Sequence, residues 1–483
     1  VPTRSFLQVT VGGFLRDPRL ALVQTPHHFY SPDPFTRNLG VSGAVPSESE
    51  LFYGVIQRGI DTWNASFFCG SCAVLRRSAL EEVGGIAVET VTEDAHTALK
   101  MHRRGWRSAY LDVPQAAGLA TETFSAHVGQ RIRWARGMAQ MFRVDNPLLG
   151  RGLTLSQRFC YLAAMLHFFS GIPRLVFLLA PMAYLVFERH VFNALPLAAL
   201  AYGLPHLVHS TATNARLHGR FRHSFWSEVY ETALASYIAV PTTLALVAPR
   251  LGRFNVTAKG GRIDRAFFDV RIALPYLLLA AVNVAALATG GWRLWTGAGR
   301  IDSLVINLAW AVHNVFILAA TLSAACERPQ RRRAPRVEAR LAGMLRLDDG
   351  ATVRCETSDL ALGGARVELA GDVSLVAGQR VWVSVFSFDD EHPLPAHVVG
   401  RSRRAVRLRF ALSTLEEEAH LVRVIFSRAD AWLGWVDAHR RDRPLLTLAS
   451  VFGHGARGVG RILALPFRPP AARARPAPLR SPS

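Results

Sequence analysis

Between residues 155 and 325 the sequence returns repeatedly to apolar runs long enough to cross a bilayer, more of them than a water-soluble domain can absorb. Residues 172–187, 191–212, 271–292 and 303–325 each approach the ~20 residues that a hydrocarbon core requires, and they are read as four candidate spans. Two further segments, 155–171 and 230–247, are apolar but interrupted by Arg, His, Tyr or Pro241. Each either spans or lies along the interface. Of the 483 residues 50% are hydrophobic and 19% charged, unevenly distributed, which points to several domains around a membrane part.

The formal net charge of +20 raises the question of nucleic acid. The Lys and Arg residues, however, flank the apolar runs and crowd one short linker, a pattern that suits anionic headgroups and phosphorylated ligands instead. Nucleic acid is therefore not expected as a partner. Positive charge in 214–223, in 250–265 and after Cys326 assigns those segments to the cytoplasm, so that 188–190 and 290–302 face outward. Five cysteines, an odd number, fall in cytoplasmic or membrane segments, and no disulfide framework is indicated. The Cys69-Gly-Ser-Cys72 spacing has no thioredoxin-like surroundings and reads as a small-residue turn.

Residues 1–150 have the pattern of a soluble α/β region. Strands are expected at 20–24 and 108–112, a helix end near Leu80, and a helix from Asp94 to Arg104. After the membrane part (151–326), the linker from Glu327 to Arg336 is too charged and too Pro-interrupted to continue a span. Short alternating runs at 365–369, 381–386 and 406–410, punctuated by Gly and Asp, then predict a small β-barrel over 327–412. Residues 413–467 are read as amphipathic helices, with one helix over 415–438 whose Phe426, Trp432 and Trp435 pack on the barrel or on the membrane. Residues 468–483, rich in Pro, Ala and Arg, are expected to be disordered.

Chemistry concentrates at two places in the first 150 residues. Asp94 follows Thr92 and Glu93 at a predicted helix start, where the helix dipole favours an ionised carboxylate; by itself this is equally an N-terminal cap. Gln130, Arg133 and Trp134 share a face of a second predicted helix. Arg133 is suited to gripping a diphosphate and Trp134 to presenting an apolar ring to a sugar, although a basic amphipathic helix on a membrane surface would look similar. A carboxylate base, an anion clamp and an aromatic platform together are the equipment of glycosyl transfer.

These motifs, with Phe254, Val256, Thr257, Lys259 and Gly260 downstream, make the chain resemble bacterial cellulose synthase catalytic subunits, processive family 2 glycosyltransferases with a C-terminal PilZ domain. The resemblance implies a multi-domain membrane protein: the C-terminal half of a GT-A-like transferase domain, a transmembrane helical bundle and a PilZ β-barrel. It implies polymerisation of glucose from UDP-glucose into β-1,4-glucan, translocation of that glucan across the inner membrane, and activation by cyclic di-GMP. Asp94 would be the catalytic base. Thr92, Glu93, Cys69, Gly70, Gln130, Arg133 and Trp134 would line the substrate site, and residues 250–262, with Phe254, Val256, Thr257 and Lys259, would form a gating loop over the nucleotide. Membrane lipids and a periplasmic cellulose synthase subunit are the implied partners, with the transferase and PilZ domains cytoplasmic.

One departure bears on activity. The family carries an Asp for uridine and an Asp-x-Asp for Mg2+ upstream of the point equivalent to Val1, whereas Asp17, Asp33 and Asp61 stand singly. The chain is therefore expected to be a fragment without a metal site, inactive alone. On the regulatory side, Arg332 and Arg336 fit the R-x-x-x-R of PilZ domains, and Asp359 and Gly364 fit D-x-S-x-x-G with Ala361 in place of Ser, a change expected to weaken cyclic di-GMP binding by about 0.5–1.5 kcal/mol. An autoinhibitory pair between Arg332 and Glu122 is expected without the ligand. Two alternatives stay open: a processive synthase of another β-glycan, and a non-catalytic membrane receptor for cyclic di-GMP.

Overall fold

The computed structural model describes residues 1–191, 196–251, 261–330, 332, 334–386, 392–403, 405–434, 440–464 and 467–468. Its N-terminal region is built on a short mixed sheet. Every residue of Leu20–Gln24 (β1) is buried, as expected of a strand covered on both faces. This strand is central: it pairs antiparallel with Ala73–Leu75 (β2) and parallel with Arg107–Tyr110 (β3). Three helices position the site residues. Pro34–Leu39 (α1) is capped by Asp33, whose carboxylate accepts from the N–H groups of Phe35 and Thr36. Glu93–Arg103 (α2) begins one residue before the expected start, and Phe124–Val144 (α3) carries Gln130, Arg133 and Trp134.

The apolar region forms six helices: Leu155–Leu166 (α4), Gly171–Phe187 (α5), Pro196–His218 (α6), Ser224–Val247 (α7), Val270–Thr296 (α8) and Ile301–Ala324 (α9). Among the described residues, α8 and α9 are long and apolar enough to cross a membrane. A third span arises if Leu155–Phe169 and α5, bent by 45° at their junction, form one. The expectation of four spans is thereby reduced. The stretch 191–212 falls mainly on α6, which carries Pro205, His206 and His209 and continues to Asn214 and Arg216, too polar for a span. The ambiguous segment 230–247 belongs to α7, which buries eleven residues, among them Trp226, Tyr230 and Ile238, against its neighbours.

Within the bundle, polar side chains bind the helices to one another, the usual device where no hydrophobic force separates helix from lipid. Asn283 of α8 and Asn314 of α9 both donate to the carbonyl of Leu178 in α5, at 3.2 and 3.0 Å, and Asn314 also donates to Asn283 at 3.2 Å. Gly290 of α8 lies so close to Leu185 and Leu308 that a Cβ there would meet them within 3 Å.

After α9 the chain enters a closed barrel. Val337–Glu338 (β4), Ala342–Leu347 (β5), Thr352–Ala361 (β6), Gly364–Leu369 (β7), Arg380–Val385 (β8), Leu394–Ser402 (β9) and Ala405–Phe410 (β10) are antiparallel, and six of them close in the order β7-β10-β9-β8-β5-β6, with β6 pairing back onto β7 and with β4. Inward residues such as Val381, Val383 and Val385 alternate with more exposed ones, the period of a half-buried strand. The helix expected over 415–438 is shorter. Leu415–Phe426 (α10) ends at Ser427, and Trp432 then folds back to pack 4.8 Å from His28 and 6.1 Å from Phe426, while Tyr30 lies 4.9 Å from Phe426. The barrel's aromatic edge thus rests on the transferase region; Trp435 lies outside the described residues. Pro444–Ala464 (α11) packs along α9, where a Cβ on Gly458 would strike the Ser323 hydroxyl.

Glu327 joins the three parts. It is 1% exposed, accepts from the Phe124 N–H at 2.6 Å, from Asn38 Nδ2 at 3.0 Å and from Arg37 at 3.0 Å. The residue read as the first of a solvated linker is therefore an interior anchor that caps α3 from outside. Removing one member of a buried ion pair strands the other. Glu327→Ala is expected to cost about 3–5 kcal/mol, read as a lowered unfolding midpoint in detergent; an unchanged midpoint would mean that Arg37 finds a substitute.

Candidate functional site

Asp94 sits at the second position of α2. Its Oδ1 accepts from the Ala95 N–H at 2.9 Å. Its Oδ2 faces Gly70, where a Cβ would stand 3.1 Å away. Burial lifts the carboxyl to about 6, and Glu93 adds to that, against the opposing pull of the Ala95 N–H and of Arg133. Arg133 is thus electrostatically within reach of Asp94, as the two motifs required.

What brings them together is Gly137, one turn beyond Trp134 on α3. A Cβ at this position would lie 2.5–2.7 Å from the Thr92 side chain and N–H, so α3 rests directly on the start of α2. One turn further, Gln140 accepts from the Val91 N–H at 3.1 Å. Of the expected site residues, Cys69, Gly70, Thr92, Glu93, Asp94 and Arg133 therefore converge on one place, with Gln130 and Trp134 on the same helix. Phe254, Val256, Thr257 and Lys259 lie outside the described residues. The chain just before them is nevertheless tied to α3: Gln140 donates to the Pro249 carbonyl at 2.6 Å and Arg136 to that of Leu251.

Trp134 is half-buried, and the Arg131 guanidinium stands 4.3 Å from its ring centre. Arg131 is not the solvent-facing residue of an amphipathic surface helix. It is 6% exposed and pairs with Glu48 at 2.7 Å. Burial acts against ionisation of Glu48, yet Arg131 and the nearby His167 and His127 hold its carboxyl well below the usual range. Glu50, half-buried nearby, is instead pushed up to about 7 by desolvation and by Asp33, against its hydrogen bonds with Ser47. Sequence reading missed this acidic cluster, although three acids in so basic a chain (Asp33, Glu48 and Glu50) were a signal.

The regulatory residues come together in part. Arg336 pairs with Asp359 at 2.8 Å, and Asp359 lies where β6 slips register against β7, between Thr357 and Asp359. Gly364 begins β7 so close to β10 that a Cβ would meet the Leu408 carbonyl at 2.2 Å. Arg332 is exposed, and no ion pair joins it to Glu122 among the described residues. The Glu122 backbone carbonyl accepts from Arg37 at 2.6 Å.

For a divalent cation the acids present do not fit. Asp17 pairs with Arg107, Asp33 caps α1, and Asp61 accepts from the Tyr110 N–H. Among the described residues no group of three His, Cys, Asp or Glu side chains could hold a metal ion.

A family model for glycosyl transferase family group 2 matches residues 1–204, and a PilZ domain model matches residues 330–427. Fold and site thus define a membrane-associated family 2 glycosyltransferase region joined to a PilZ barrel. A cellulose synthase catalytic subunit (UDP-forming) of Pseudomonas fluorescens is 52% identical over 96% of this chain, and one of Xanthomonas axonopodis pv. citri is 53% identical over 96%. The chain spans 63% and 64% of the length of these two relatives. A solved PilZ domain of YcgR from Escherichia coli with c-di-GMP is 24% identical over 20% of this chain and 89% of that one, with a TM-score of 0.18. The chain belongs to the family of bacterial cellulose synthase catalytic subunits.

The upward shift of Asp94 has a consequence for stability. Its folded value of about 6 lies above the ordinary 3.8, so the native state holds the proton more tightly than the unfolded chain, and stability contributed by the neutral form is lost as pH rises through that interval. Asp94→Asn is expected to stabilise this chain at pH 8 by on the order of 1–3 kcal/mol and to leave it unchanged near pH 4. Thermal unfolding at the two pH values checks this; equal shifts at both would show that the carboxylate is not desolvated.

Proposed function

We propose that this chain is part of a cellulose synthase catalytic subunit, inactive alone, whose protein of natural length transfers glucose from UDP-glucose to the end of a β-1,4-glucan and passes the polymer through its membrane helices. Asp94 takes the proton from the acceptor hydroxyl as that oxygen bonds to C1 of the donor glucose, and UDP leaves from the opposite face with inversion. Arg133, beside Asp94, stabilises charge on the departing diphosphate. Lys259, in the segment following Leu251, is assigned the same anion, and Mg2+ at upstream acidic residues is assigned to the protein of natural length. Trp134, with Arg131 covering one face, offers its other face to the acceptor sugar. The observation that carries this reading is the contact of Gly137 with Thr92, which makes the acid and the anion-binding helix one site.

Cyclic di-GMP is proposed as the activator, held by Arg332, Arg336 and Asp359. The Arg336–Asp359 pair, at 2.8 Å, presents a guanidinium beside a carboxylate that can accept from a guanine edge. Both soluble parts are placed in the cytoplasm, and a periplasmic subunit is proposed to receive the glucan.

The protein purified at its natural length should incorporate UDP-glucose, and not UDP-N-acetylglucosamine, into a product that a β-1,4-glucanase digests. Asp94→Asn should lower turnover by about 10²–10⁴, and the wild-type rate should fall below a midpoint near pH 6, where Asp94 gains its proton. Incorporation of the other sugar would assign a different β-glycan. Cyclic di-GMP binding without any transfer would leave only a receptor.

A further inference from the structure

Gln24, at the end of β1, is 0% exposed and uses both ends of its amide on one short turn. Its Oε1 accepts from the Cys69 N–H at 2.9 Å, while Nε2 lies 2.9 Å from the Ser71 carbonyl, 3.2 Å from that of Cys72 and 2.8 Å from that of Thr25. The turn needs such a hold, because Gly70 and Cys72 both have positive φ, of 82° and 55°. Glycine tolerates that conformation, but a cysteine does so only when its surroundings impose it. Gly70 is also the residue whose Cα approaches the Asp94 carboxylate. One buried amide thus spans the turn that covers the acid.

We propose that Gln24 is a positioning residue of the transferase site, holding the turn 69–72 in the conformation that packs Gly70 onto Asp94 and shields that carboxylate from water. The inference rests on the proposed function for its catalytic consequence, but not for its structural one. From the other side, His27 Nε2 lies 2.8 Å from the Ser71 carbonyl and 3.1 Å from its hydroxyl; Thr25 donates its N–H and its hydroxyl to the Cys72 carbonyl, each at 2.9 Å, and Gln57 Nε2 reaches Cys69 Sγ at 3.2 Å, so that of these side chains Gln24 is the one that ties residues 69, 71 and 72 together. The titratable groups around Asp94 are Glu93 on its own helix, Arg133 on α3, and Cys69 in the turn, with Cys72 and Tyr53 beyond Cys69.

Two measurements test this separately. In the present chain, Gln24→Met should raise the alkylation rate of Cys69, mapped by mass spectrometry, about tenfold, with the buried Cys326 and Cys355 as internal controls that stay slow. Unchanged labelling of Cys69 overturns the proposal. If all cysteines become reactive the variant has unfolded, and Gln24→Glu, which keeps the acceptor for the Cys69 N–H and loses the donations, is then measured in its place. In the protein of natural length, the folded variant should lower kcat about tenfold while KM for UDP-glucose stays within about twofold, and the acidic midpoint should move down from about 6 toward the ordinary carboxylate value near 4. A freed Cys69 with unaltered kcat and pH profile would overturn the positioning role. A wild-type protein that leaves UDP-glucose untouched would refute the proposed function, while the labelling result would still decide whether Gln24 holds the turn.

Discussion

The absence of a side chain at Gly137 is the constraint on which the site depends. Two helices, one carrying an acid at its start and the other an arginine and an indole, are brought together here because their backbones nearly touch. The contact with Thr92 achieves this at the cost of one residue's freedom to vary. The hydrogen bond from the Val91 N–H to Gln140 then fixes the angle of approach. On the N-terminal side of this junction, the Arg131–Glu48 pair and the capping of α3 by Glu327 hold the helix.

Burial lifts the Asp94 carboxyl from its ordinary range, and a second glycine contributes to that burial. Gly70 brings bare backbone against Asp94, and the cover comes from the main chain of a strained turn. Such cover lies close to the acid while adding little bulk in front of it, which suits the role of base proposed for Asp94. Arg133 opposes the shift only in part, so that Asp94 remains basic enough to take a proton near neutral pH and acidic enough to be ionised there.

Much of this was readable from residues alone, and the misses share a cause. The strand at 20–24, the helix through Asp94 and the barrel strands followed from local period and composition, which neighbours in sequence determine. The burial of Arg131 did not, because its partner Glu48 is 83 positions away. Segment 230–247 looked ambiguous because Tyr residues and Pro241 interrupt it; in α7 its polar groups find partners inside the bundle, such as Tyr237, which donates to the Ile272 carbonyl of α8 at 2.9 Å. The helix begun at Leu415 was overextended because apolar spacing continued past Phe426, while the aromatic residues beyond it were committed to Tyr30 and His28. Gln24 passed as an ordinary strand residue, since nothing in its neighbourhood hints at what both ends of its amide would hold.

Glu327 is tethered by covalent chain on both sides: α9 ends just before it, and the arginines ahead of the barrel follow within a few residues. Its carboxylate meanwhile grips the first N–H of α3. Tension on the segment leading to the barrel is therefore delivered, through one rigid carboxylate, to the end of the very rod that bears Arg133 and Trp134. The membrane bundle and the helix that bears Arg133 and Trp134 thus meet at this carboxylate, a few residues ahead of the barrel.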